Sequence, residues 1–150
     1  MGQAMTEREI EAVLREVTDE EVAFYQEYGW VMMKQLVAPE FASEFLRLGQ
    51  EWNLKQQDRE RRRNSTAGLA IEGVEPFRSF MLSERMAQNA TRLVDRKRLK
   101  DVDVPLRYRT DIVILKSPGA ASGTYHQDSS EHGSDRVGEL QFWLALAEVT

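Results

Sequence analysis

Both histidines of this 150-residue chain lie in one short stretch, TYHQDSSEH, residues 124–132. Asp128 follows His126 by two positions. On an extended segment, residues i and i+2 project from the same face, roughly 6.5 to 7 Å apart. An imidazole and a carboxylate placed that way can share one cation, while Gln127 turns to the other face. The same triplet also fits a strand-end histidine hydrogen-bonded to a nearby carboxylate, and three-residue patterns recur by chance. His132 stands in the Ser/Glu/Gly/Asp loop that follows.

The donors available restrict the metal. The chain contains no cysteine, which excludes disulfides, thiolate zinc sites, iron–sulfur clusters and a cysteine nucleophile. A metal would be held by His, Asp, Glu or backbone oxygens, a hard ligand set suited to Fe(II), Mn(II) or a hydrolytic Zn(II).

The elements that must position these groups follow from pattern and composition. The length fits one domain, residues 1–150, with 1–17 expected as a flexible leader or a helix. At 41% hydrophobic, 30% charged and net −5, the composition is that of a globular protein expected in the cytoplasm, and its mild acidity argues against general nucleic-acid binding. No apolar run approaches the roughly 18 to 20 residues of a membrane span. The N-terminus lacks a basic start followed by an apolar block, so no secretory signal is expected. MGQAMT matches a loose myristoylation pattern, for which an ordinary start is the simpler reading.

Thr18 and Glu21 have the spacing of a capping box, and Gly29 is placed to stop the helix they begin. WVMMKQLV, 30–37, reads as a short strand. Pro39 then opens a helix along which Phe41, Phe45, Leu48 and Trp52 form one stripe. Arg59, Arg61, Arg62 and Arg63 alternate with acids and lack aromatic partners, so they read as a solvated helix end before a Gly/Ser/Thr loop. Residues 77–99 read as helix, with Ser83 and Asn89 as local caps and Arg96, Lys97 and Arg98 near its end. After Pro105 the texture changes. LRYRTDIVILKSPG alternates and is rich in β-branched residues, Thr124–Asp128 offers a second strand, and ELQFWLALAEV reads as a third. Helices first and strands later give an α+β expectation.

The tract DIVILKSPGAASGTYHQDSSEHGSDRVGELQFWLALAEVT carries a strand ending in Lys-x-Pro-Gly, then His-Gln-Asp, a polar loop and a Trp-x-x-Leu strand. In these features it resembles the phytanoyl-CoA dioxygenase family of Fe(II)/2-oxoglutarate-dependent oxygenases. The opening VAFYQEYGWVMMKQLVAPEFASEFLRL also looks like that family's beginning. The resemblance covers roughly residues 18 to 150, with a poorly matched middle between about 54 and 104.

The resemblance implies a double-stranded β-helix, a cupin-like jelly roll, of which the chain carries the N-terminal helices and first strands. It implies Fe(II) held by two histidines and one carboxylate, with open positions for 2-oxoglutarate and O2. His126 and Asp128 match two of these ligands. Because halogenating relatives replace the carboxylate with a small residue, Asp128 points to hydroxylation or a related C–H oxidation. Trp143 matches a residue lining the 2-oxoglutarate pocket, with core packing as its alternative. Lys116, ten residues before His126, matches a polar contact to that cosubstrate, or else is a surface lysine. Arg107 and Arg109 face an anionic substrate or, more simply, solvent.

The family's distal iron histidine and its carboxylate-binding arginine have no counterpart in these 150 residues. His132 sits too close to His126 to match the distal ligand. The remaining half of the β-helix is expected elsewhere, and residues 1–150 alone are not expected to turn over 2-oxoglutarate. Two further readings stand beside the oxygenase: a non-catalytic ligand- or partner-binding fragment or pseudoenzyme, and a hydrolytic cupin using another metal.

Overall fold

The structure, a computed structural model, describes residues 3–57, 68–70, 72–94, 106–114 and 139–147. Its regular elements are five helices: α1 (Glu7–Val13), α2 (Asp19–Tyr28), α3 (Pro39–Gln57), α4 (Phe77–Met81) and α5 (Glu84–Leu93).

Local sequence explains where these helices begin. Thr6 and Glu9 close a capping box on α1, and Thr18 and Glu21 close one on α2. Each satisfies two backbone donors that a helix start leaves orphaned. Gly29 ends α2 at φ 77°, a left-handed conformation open to glycine at little steric cost. Ser83 caps α5 by accepting from the Met86 N–H at 3.2 Å.

The core draws on every helix but α2. Ile10, Leu14 and Val17 come from α1 and the segment after it, and Leu36 and Val37 from the α2–α3 connection. Phe45 of α3, Leu69, Phe77, Phe80, Met86 and Leu93 complete the cluster, on which Val22 and Tyr25 of α2 rest half-buried. Within it Phe45 stacks on Phe77 with ring centroids 4.0 Å apart and meets Phe80 edge-on at 5.0 Å. The aromatic stripe expected on α3 is therefore packing surface.

A polar bracket holds α5 against the α1–α2 corner. Asn89, fully buried, accepts from the Val17 N–H at 3.0 Å and donates to the Arg15 carbonyl at 2.9 Å. The Asn89 side chain thus supplies partners to two backbone groups that the corner leaves without helical ones. Around it Arg85 pairs with Glu11 and Glu16, Arg92 with Asp19, and Arg15 with Glu21 at 2.7 Å. Asn89 is thus a tertiary bracket and not the local cap its composition suggested. The 77–99 helix is also divided: α4 stops at Met81 and Ser83 starts α5 anew.

The α+β expectation, with the first strands of a double-stranded β-helix, is not met. Among the described residues there is no strand, only an isolated antiparallel bridge between Leu14 and Val37. The reason is visible in the segments expected to be strands. In 30–33 and 111–114 burial alternates: Val31, Met33 and Val113 face the core, and Trp30, Met32, Ile112 and Ile114 face outward. Alternation specifies an extended chain with one face on a core. A strand further needs a neighbour about 4.8 Å away offering N–H and C=O groups, and no described segment supplies one. In 30–37 the pattern is cut short as well, by a turn at Lys34 and Gln35, the latter at φ 52°.

Candidate functional site

Residues 106–114 and 139–147 stand, in sequence, on either side of the tract that holds His126 and Asp128. Among the described residues they are tied down by side chains and not by a ladder. Both carboxylate oxygens of Asp111 accept from the Ala70 N–H at 3.2 Å, and the Tyr108 hydroxyl also donates to Asp111. Arg78 reaches the Ala70 carbonyl from α4 at 3.4 Å. Burial, aided by the bond to Asp111, pushes the Tyr108 phenol well above its usual range. On the other side Val113 lies against α3, where a Cβ on Gly49 would come within 3.0 Å of its Cγ1. The missing side chain at Gly49 is what lets the extended segment approach the helix.

The second segment rests on the same frame. Leu140, Phe142 and Leu146 pack on the core. Arg109 of the first segment meets Glu139 of the second at 2.9 Å, so the two flanks of the intervening tract are linked directly. Arg109 is thus spent on an ion pair, while Arg107 is exposed to solvent.

Of the residues singled out by sequence, His126, Asp128, Lys116 and His132 lie outside the described residues, as do the arginine run 59–63 and the basic cluster at 96–98. Trp143 is described and is 74% exposed, on the side opposite Leu140 and Phe142. Within these residues it does not pack into the core. Ile112 and Ile114 also face outward, 53% and 60% exposed.

Among the described residues no group of three His, Asp, Glu or Cys side chains could hold a metal ion, and no helix is long and apolar enough to cross a membrane. An open groove of about 390 Å³ runs along α5, bordered by Glu16, Glu84, Gln88, Asn89 and Arg92. It contains none of the candidate site residues His126, Asp128, Lys116 or Trp143, and its Glu16 and Arg92 are engaged in the α5 ion pairs. Sequence reasoning passed over Asp111, Arg85 and Arg92, and read Asn89 as a local cap. For the arginines a signal existed: positions 85 and 92 are seven apart, on one face of α5. The tertiary roles of Asp111 and Asn89 carry no such mark, since the backbone groups they hold lie 41 and 72 to 74 residues away.

No protein-family model, no curated protein and no solved structure matches the chain.

Proposed function

We propose that this protein is an Fe(II)- and 2-oxoglutarate-dependent oxygenase acting on a small organic molecule. One observation carries the reading: His126-Gln127-Asp128 is preceded by Lys116-Ser-Pro-Gly and followed by the Trp143 segment, an order resembling phytanoyl-CoA dioxygenases. It rests on these residues and not on a β-helix.

The donor set fits the metal. An imidazole nitrogen and a carboxylate oxygen, in a chain without thiols, match the preference of Fe(II) for hard and borderline ligands. His126 and Asp128 would hold the ion. Bound iron, with 2-oxoglutarate and O2, supplies oxidation of an unactivated C–H bond while 2-oxoglutarate yields succinate and CO2. The chain's own residues bind and orient. His126 ligates only as neutral imidazole, so protons compete with the metal for its nitrogen. Asp128 supplies negative charge at the ion, and its presence directs the chemistry to hydroxylation. Lys116 offers an ammonium to a cosubstrate carboxylate, and the solvent-facing Trp143 indole offers a flat apolar wall. A cytoplasmic setting belongs to the same proposal and rests on composition.

A second, non-catalytic reading keeps His126 and Asp128 as a binding pair without turnover. The two are separated by anaerobic titration. Mn(II), a paramagnetic stand-in for Fe(II), should broaden the NMR signals of the His126 ring and the Asp128 side chain. His126→Ala and Asp128→Ala should each abolish saturable binding. Adding 2-oxoglutarate to the Fe(II) protein should produce a metal-to-ligand charge-transfer band. Metal binding without that band favours the non-catalytic reading, and a His126 ring untouched by Mn(II) overturns both.

A further inference from the structure

We propose that the outer face of α2 is a docking surface for a basic peptide segment of a partner protein. Helix α2 is apolar on two sides. Val22 and Tyr25 rest on the core, while Glu20, Phe24, Glu27 and Tyr28, at steps of four, seven and eight, form a stripe on the exposed side. Phe24 is 38%, Tyr28 57% and Trp30 61% exposed. The three rings form one contiguous surface: the Phe24 and Tyr28 centroids are 4.5 Å apart, and Trp30 meets Phe24 edge-on at 5.3 Å. Met32, 68% exposed, follows Trp30 by two residues. Single exposed apolar residues are ordinary, whereas contiguous ones mark recognition surfaces.

Charge identifies the occupant. From Glu16 to Met33 the chain has five carboxylates and no lysine or arginine. Glu16, Asp19 and Glu21 are matched by arginines from elsewhere in the fold. Among the described residues Glu20 and Glu27, the two on the aromatic stripe, pair with no cation. A purely apolar partner would strip water from them without compensation. A second copy of the same stripe would set carboxylate against carboxylate across a two-fold axis. Lysine and arginine side chains suit both features, laying cations over the ring faces and hydrogen-bonding the carboxylates.

The test is titration of the isotope-labelled 150-residue chain with nona-arginine, with nona-glutamate as control, followed by backbone amide NMR. The expected result is saturable shifts confined to residues 19–33, weakened by added salt. Binding should weaken about tenfold in the double variant Phe24→Ala/Trp30→Ala, a loss that net charge alone does not cause. Glu20→Gln/Glu27→Gln should weaken it as well. These side chains are outside the core, and circular dichroism checks that the helices persist. Three outcomes overturn the proposal: no shifts; shifts spread over all acidic surfaces and insensitive to the aromatic variant; or concentration-dependent self-association mapping to the same stripe without peptide.

Discussion

The helical frame, residues 3–57 and 72–94, and the two extended segments, 106–114 and 139–147, are held by different means. In the frame most backbone groups are satisfied within each helix, and the caps at Thr6, Thr18 and Ser83 cover the starts. Tertiary contacts there have only to orient finished elements, which the phenylalanine cluster and the Asn89 bracket do. Among the described residues the extended segments form no backbone ladder. They stay in place through a few side chains: Asp111 on Ala70, Val113 against Gly49, Arg109 with Glu139, and Leu140, Phe142 and Leu146 on the core. A helix brings its own hydrogen bonds, whereas an extended chain borrows them. The region flanking His126 and Asp128 is therefore the more sensitive to single side-chain changes, and the frame to changes in its core.

That contrast can be broken from either side. The largest effect is expected at the bracket. Asn89→Ala strands the buried Val17 N–H and Arg15 carbonyl and should lower unfolding free energy by about 2–4 kcal/mol. Urea denaturation checks it, and a loss under about 1 kcal/mol would mean that the α1–α2 corner stands without α5.

A smaller, pH-dependent effect is expected at Glu21. The hydrogen bonds from Arg15 hold its carboxyl below the usual range, with the Thr18 N–H assisting. A depressed folded pKa contributes stability above the unfolded value of about 4.3, and that stability disappears as pH falls through the lower folded value. Glu21→Gln should cost about 1 kcal/mol at pH 7, through the weakened capping box and lost ion pair, and nearly nothing at pH 2. Thermal melts of both proteins across that range should converge in acid, and parallel curves would assign the pair no role.

The smallest global effect and the sharpest local one belong to Asp111. Asp111→Ala should change overall stability by no more than about 1 kcal/mol while releasing the 106–114 segment from Ala70. Limited trypsin digestion should then cut faster at Arg107 and Arg109 with α5 still protected. Unchanged cleavage would show that Val113 and the Arg109–Glu139 pair suffice to hold the segment.

The two regions also differ in how far the chain could be read in advance. Thr18, Glu21, Gly29 and Pro39 act within a few residues of themselves, and the α2 and α3 boundaries fall where they predict. The alternation in 111–114 was equally legible and describes burial correctly, yet it did not make a strand. The error lay in taking a pattern of faces for a pattern of hydrogen bonds. Of the candidate site, His126 and Asp128 lie outside the described residues, and of Trp143 the structure shows only that its side chain is exposed.

Residue types alone settle the available metal donors, the helix starts and stops, and which face of each segment seeks the core, because these depend on side-chain chemistry and on neighbours a few positions away. Asn89 beneath Arg15 and Val17, Asp111 on Ala70, Arg109 against Glu139, and the exposure of Trp143 and the α2 aromatics are settled by folding. Each depends on groups distant in the chain, and a contact over that distance leaves no mark on local composition.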